Sequence, residues 1–211
     1  MTLTCKTRLL ATVLLLAART VHSGANLLSE ETDWTAHSFA GETRYTWLQD
    51  AAGSYVCGEA EASASLRMRR VKVDLTETPI LTWRWRVPLT LPDLPQQTRA
   101  GDDFPARIYV VARKGLRPAT LVYIWGHSDL KAPWPNPFDT QTIMIPMQHG
   151  ESDTWWRERA DVRADLELHF GLHDPLELGI GFMTDADNSG GHLNGCYRDL
   201  MFEERAPEPQ K

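Results

Sequence analysis

The chain is poor in cysteine, in long apolar runs and in clustered basic residues, and each shortage excludes something. Its longest apolar run, residues 9–18, is about half of what a bilayer-spanning helix needs, and Arg19 closes it, so no permanent membrane anchor is expected. The 22 Lys and Arg residues are outnumbered by 28 Asp and Glu and are scattered along a chain of net charge -6. Nucleic acid and anionic membrane surfaces are poor partners for such a surface. There is no GxSxG elbow, no HExxH, no paired CxxC and no phosphate-cradling glycine loop, so the common nucleophile, zinc and nucleotide signatures are missing. The 7 histidines are too dispersed to build a zinc site. Helical periodicity is also nearly absent, which excludes a bundle or a βαβ rhythm.

What is present begins with the three parts of a secretory leader. Lys6 and Arg8 precede the apolar run, and Val21 and Ser23 supply the small residues that a signal peptidase reads. Cleavage is expected after Ser23, giving a leader over 1–23, one domain over 24–204 and a disordered Pro-containing tail over 205–211. Cys5 lies before the apolar run, so a lipoprotein anchor does not fit. The roughly 185 residues that remain suit one well-buried domain. Without Lys6, Arg8 and Arg19 that domain carries 19 cationic against 28 acidic side chains. Cys57 and Cys196 are then the two cysteines left, in a periplasmic or secreted setting that permits disulfides. They either form a bridge or remain two buried thiols, and spacing alone does not choose.

Runs rich in β-branched and aromatic residues, punctuated by Gly, Pro, Asp and Asn, predict strands at 36–39, 43–48, 60–70, 80–87, 106–112, 120–125, 142–147, 177–183 and 196–202. A helical stretch is expected within 155–170, where Trp156, Arg159, Val162 and Leu166 fall near helical spacing. Many short strands with at most one or two short helices define an all-β class, an antiparallel β-sandwich or jelly roll. Period-two alternation assigns faces. In LTWRWRV, Leu81, Trp83, Trp85 and Val87 share a core face, opposite Arg84 and Arg86. The same rule sets Ile108 and Val110 against Arg107 and Tyr109, and Val122 and Ile124 against Tyr123 and Trp125. The second faces are either solvated or a binding surface on which guanidinium groups and rings meet a polar ligand.

Three local features carry chemistry. TDADNSGG, Thr184 to Gly191, gathers Asp185, Asp187 and Asn188 between an apolar strand and glycines, which suits calcium or, equally, a tight turn bonded to its own backbone. Asp102 and Asp103 stand just before Arg107, placed for acid/base work or for ion pairing with Arg84, Arg86 or Arg107. His127 follows Trp125 where a strand enters a long loop, as an acid/base candidate or a structural imidazole.

The motifs WRWRV, DDFPARIYVV, YIWG, NPF and MTDADNSGG, in this order and spacing from about residue 34 to 203, resemble the exported bacterial family labelled domain of unknown function 3047. The resemblance implies a galactose-binding-like or carbohydrate-binding jelly roll. In such modules an acidic residue of the final strand can hold a structural calcium with another near the first strand. Here that implies Asp199, next to Arg198, with Glu31 or Asp33. The resulting expectation is a non-catalytic binding module for a glycan or another polar envelope component, using Arg84, Arg86, Asp102, Asp103, Arg107, Tyr109, Tyr123, Trp125, His127 and Asp185. Structural calcium on Asp185, Asp187, Asn188 and Asp199 is the one cofactor candidate. A saccharide hydrolase or lyase and a structural envelope protein are the alternatives.

If the leader is cleaved as its three regions predict, the intact mass of protein recovered from the periplasm or medium gives an N-terminus within a few residues of Gly24. A mass that retains residues 9–18 contradicts cleavage.

Overall fold

A computed structural model describes residues 19–20, 23–91, 94–115, 118–175 and 177–206. Most of the expected leader, and residues 207–211 of the expected tail, lie outside the described residues. Two sheets face each other. The larger has eight strands, with the path β1 (Arg19–Thr20), β5 (Ala64–Lys72), β12 (Glu177–Asp185), β7 (Phe104–Arg113), β8 (Pro118–Gly126), β10 (Asp139–His149) and β9 (Trp134–Asn136), while β2 (Thr35–Ala40) also pairs with β5. The smaller has five strands in the order β11 (Ser152–Asp161), β6 (Ile80–Leu89), β13 (His192–Glu203), β4 (Gly53–Glu61) and β3 (Arg44–Asp50). Pairing is antiparallel except at β1–β5 and β8–β10. Among the described residues no helix is long and apolar enough to cross a membrane.

The alternation in β6 explains the core. Leu81, Trp83, Trp85 and Val87 all point between the sheets and are buried. Trp83 meets Trp85 at 5.2 Å and Tyr123 at 5.3 Å, and Trp85 meets Trp125 at 5.6 Å. At about 150–250 Å² buried per ring and about 25 cal/mol/Å², each contributes roughly 4–6 kcal/mol of gross burial. Their polar atoms are matched in part by the elements around them: Trp85 Nε1 donates to Glu158 Oε1 (3.2 Å), Trp125 Nε1 to the Gly150 carbonyl (2.6 Å) and Tyr123 OH to Asp165 Oδ2 (2.7 Å).

Several expectations change in detail. Residues 60–70 are not one strand: Ala62 adopts a positive φ of 44°, and the chain there leaves β4 in one sheet and enters β5 in the other. The first part of the expected helix at 155–170 is β11, whose edge pairing with β6 sets Trp156 opposite Trp85. Helix α1 covers only Val162–Phe170. Asp161 caps it by accepting the Ala164 N–H at 3.1 Å, and Gly171 at φ 59° ends it. Strand pairing outweighs a weak helical periodicity here, as tertiary context commonly does.

A second apolar cluster lies on the outer face of the larger sheet, where Leu66, Met68, Tyr109, Val111, Val122, Ile124, Met144 and Met183 are buried under Phe39, Leu130 and Trp134. Central strands with both faces buried explain why apolar character alone misassigned β8. Leu121, Tyr123 and Trp125 belong to the core between the sheets, and Val122 and Ile124 to the outer cluster.

At one end the sheets are pressed together. Gly58 and Gly195 are register partners, and a Cβ on them would come within 2.8 Å of Thr184 Oγ1 and 2.1 Å of the Pro105 carbonyl, respectively, both in the larger sheet. One step further along the same pair of strands, Cys57 and Cys196 stand opposite each other and are bridged, closing a separation of 139 residues. Replacing both cysteines by Ser is expected to lower unfolding free energy by about 2–5 kcal/mol in urea titrations. An unchanged midpoint would show that strand pairing alone holds this end.

Candidate functional site

The pressed end positions a cleft on the outer face of the larger sheet. Pro105 has no N–H to give to the β7–β12 ladder, and the register slips between Met183 and Asp185. The backbone there is tied instead to side chains, Tyr45 and Tyr197 of the facing sheet and Thr184 of β12 itself. Tyr197 OH donates to the Met183 carbonyl (2.6 Å), the Thr184 N–H donates to Tyr45 OH (3.0 Å), and Thr184 Oγ1 donates to the Pro105 carbonyl (2.8 Å). The slip brings Phe104, Arg107, Met183 and Asp185 to the same outer surface.

Arg107 is at the centre and is 3% exposed. Its Nε donates to Asp185 Oδ1 (2.8 Å), Nη2 to Asp185 Oδ2 and to the Asp102 carbonyl (2.7 Å), and Nη1 to Asp102 Oδ1 (3.3 Å). Its guanidinium carbon lies 4.6 Å from the centre of the Phe104 ring. Burial would lower its pKa, but the charges of Asp185 and Asp102 reverse that and hold the group cationic. Asp102 is also reached by Asn136 Nδ2 at 3.2 Å. Burial nevertheless lifts its carboxyl above the ordinary range, against Arg107 and Asn136.

Asp103 points the other way, into the turn that follows β12. Its carboxylate accepts the N–H of Asn188 (3.0 Å), Asn188 Nδ2 (3.1 Å) and the N–H of Ser189 (2.6 Å). Burial raises its pKa, but these bonds from Ser189 and Asn188 win and leave it below the usual carboxylate value. His127 lies beneath, stacked on Phe104 at 6.0 Å. Its Nδ1 accepts the Leu91 N–H (3.1 Å), so Nε2 carries the proton and donates to the Asp103 carbonyl (2.8 Å). Burial holds this imidazole neutral, and with both nitrogens engaged it braces the loop instead of moving protons.

The cleft beside Arg107 is open to solvent, and the space within and just outside its walls is about 660 Å³. Phe39, Tyr109, Phe138 and Met183 give it apolar walls; Asp102, Asp139, Asp185, Asp187, Asn136, Asn188 and Thr142 give it polar ones. Arg107, Tyr109, Asp102 and Asp185 thus meet as their motifs suggested. Asn136 and Phe138 went unassigned in the sequence, although their Asn-Pro-Phe run is a turn signal: Asn136 Oδ1 accepts the Phe138 N–H at 2.9 Å.

Five expected site residues lie elsewhere. Tyr123 and Trp125 are core residues between the sheets, 0% and 1% exposed. Arg84 and Arg86 project from the outer face of the smaller sheet, on the opposite side of the sandwich from Arg107, because β6 and β7 belong to different sheets. A shared Arg84, Arg86 and Arg107 network is therefore not formed. Asp199 stands beside Arg84 and Arg198, each at 3.6 Å, while Asp33 bonds Arg69 at 3.0 Å, and among the described residues the acidic cluster is Asp103, Asp185 and Asp187, without Asp199.

Asp185 and Asp187 do approach each other, together with Asp103, their ligand atoms all within 4.8 Å of one another. The donor set fits calcium poorly. Both oxygens of Asp185 are held by the Nε–Nη2 edge of Arg107, Asp103 accepts three N–H groups, and Asn188 turns its amide nitrogen toward oxygens of Asp102, Asp103 and Asp187. A guanidinium and an amide already supply the positive edge that a cation would bring.

The two facing sheets define a β-sandwich. The family described as "Protein of unknown function (DUF3047)" matches residues 32–201, and the chain belongs to it. Its fold is similar to the family 11 carbohydrate-binding module of the cellulosomal cellulase Lic26A-Cel5E of Clostridium thermocellum, with a TM-score of 0.53 and 11% identity over 90% of this chain and 99% of that one. A second structure of a Clostridium thermocellum family 11 module, in complex with a β-1,3-1,4-mixed-linked tetrasaccharide, aligns with a TM-score of 0.47 and 10% identity over 82% and 89% of the two chains. The xyloglucanase domain of NopAA from Sinorhizobium fredii aligns at 0.43 and 9% identity over 87% and 100%. No curated protein matches the sequence.

Arg107→Met is expected to lower stability by about 3–5 kcal/mol, because it strands Asp185 and Asp102 as buried charges; adding Asp185→Asn should restore part of the loss. Asp103 acts in the opposite pH sense to Asp102. Its depressed pKa contributes stability above about pH 4, lost as pH falls through the folded-state value, whereas protonation of Asp102 favours the fold. Melting temperatures from pH 6 to pH 3 should therefore fall less steeply in Asp103→Asn than in the wild type. Chelation or added calcium should shift neither.

Proposed function

We propose that this is a non-catalytic, exported glycan-binding protein whose site is the Tyr109–Phe138 cleft, and that its ligand is a neutral saccharide. The observation that carries the reading is the state of Arg107: four of its five N–H donors are spent on Asp185 and Asp102. A single N–H is left for an anionic ligand, too few for the paired contact a carboxylate needs, and four carboxylates line the cleft against that one guanidinium. Such a surface repels acidic sugars and offers acceptors to hydroxyl groups, while Tyr109, Phe39 and Phe138 provide flat apolar area for a sugar ring. The likeness in fold to a carbohydrate-binding module supports the class of ligand. The leader-like first 23 residues and the Cys57–Cys196 bridge support export.

A saccharide hydrolase is the second reading, favoured by the raised carboxyl of Asp102 in the cleft wall. Its expected partner Asp103 is saturated by backbone and amide donors, and His127 is locked, so a second free acid/base group is lacking at the expected positions. Calorimetric titration with neutral β-glucan, mannan and xyloglucan oligosaccharides tests both readings. Binding by the wild type, weakened about tenfold in Phe138→Ala with an unchanged melt, is the expected result. Product release that disappears in Asp102→Asn would establish the hydrolase instead, and no binding of any neutral oligosaccharide would remove the glycan reading.

A further inference from the structure

The opposite face of the sandwich carries a different kind of surface. Strand pairing turns Arg84 and Arg86 of β6, Arg157 of β11, Arg198 of β13 and Tyr55 of β4 outward from the smaller sheet. Most of these cations have carboxylate neighbours: Arg84 with Asp199, Arg157 with Glu203, and Arg198 with both oxygens of Asp50 at 3.0 and 3.2 Å. Arg86 does not. Among the described residues its guanidinium has no ion pair and no hydrogen bond, and its Nε is buried without a partner.

Rings hold it in place instead. The Arg86 guanidinium carbon lies 4.9 Å from the centre of the Trp155 ring and 5.9 Å from that of Tyr55, and these rings meet edge to face at 5.7 Å. Arg198 sits against the same two rings, at 5.0 and 5.9 Å. Stacking fixes the plane of a guanidinium and leaves its N–H edge unspent, so little conformational entropy remains to be lost when an oxyanion docks. Two cations against one indole, only one of them neutralised, also leave a local positive charge on a chain that is negative as a whole.

We infer that Arg86, Trp155 and Tyr55 form a second recognition site, on the face opposite the cleft, for a saccharide bearing a carboxylate. The carboxylate accepts two N–H bonds from Arg86, and the sugar ring lies along the exposed parts of Trp155 and Tyr55. This site does not depend on the neutral-glycan reading of the cleft.

Trigalacturonate is the probe, titrated calorimetrically into the purified protein at low and high salt, with acetate and sulfate alone as the free-anion arm. The wild type is expected to bind trigalacturonate with an affinity that falls as salt rises. Arg86→Gln should weaken it at least tenfold, and Arg86→Lys several-fold, because the ammonium lacks the planar fork. Asp187→Asn, in the cleft, should leave it unchanged. Should Arg86→Gln fail to fold, Arg86→Lys and Trp155→Leu carry the test. Absence of trigalacturonate binding, undiminished binding in folded Arg86 variants, or equal binding of free acetate and sulfate each overturns the assignment. Because Phe138→Ala reports on neutral sugars alone, failure of either site is read separately.

Discussion

A single buried guanidinium organises the candidate site. Arg107 cannot lose its proton, and a bare cation at that depth would cost several kcal/mol, so carboxylates must converge on it. Asp185 comes from the end of β12 and Asp102 from the loop before β7, which joins two segments far apart in sequence. Once Asp102 is fixed, its neighbour Asp103 is aimed at the turn after β12 and captures the backbone of Asn188 and Ser189. The loops that wall the cleft are therefore consequences of one charge that needed compensation. The same pairing spends four of the five N–H donors of Arg107, and that is what leaves the cleft mainly an acceptor surface.

The geometry beneath that pair comes from close packing. Glycine at 58 and 195 lets the smaller sheet approach the Pro105 carbonyl and Thr184, and Tyr45, Tyr197 and Thr184 satisfy the backbone groups that the register slip would orphan. Any side chain at Gly195 would meet the Pro105 carbonyl backbone, which has no flexible end to yield. The slip itself places Phe104 and Arg107 on one surface, three residues apart, where unbroken strand alternation would oppose them.

That slip also marks where sequence reasoning stops. Alternation in LTWRWRV identified the core face of β6 because one face there is apolar and the other charged. In β8 both faces are apolar and buried, so Val122 and Ile124 could not be told from Leu121, Tyr123 and Trp125 by hydrophobicity. Motif order brought out Asp102, Arg107 and Asp185, whose charges are conspicuous in an apolar setting. It could not say that Arg84 and Arg86 lie across the sandwich, since sheet membership is a property of long-range pairing. The pairing of Cys57 with Cys196 was open for the same reason: it needs β4 beside β13, and the start of β4 carried no alternation clear enough to be seen.

Net charge is a poor guide to this molecule for a reason that its thickness makes plain. Packed sheets stand about 10 Å apart, and outward side chains on both faces extend the separation further. The Debye length at physiological salt is about 8 Å, shorter than that separation, so the salt solution that bathes each face screens it from charges on the other. Charges on the outer face of the larger sheet, where four carboxylates line the cleft, thus have little influence on a ligand that approaches Arg86 through water on the opposite side. A total of -6 is the sum of two surfaces that solution partners meet one at a time. The exclusion of polyanions that the sum suggests therefore applies to the cleft and does not extend to the face that holds Arg86, Trp155 and Tyr55.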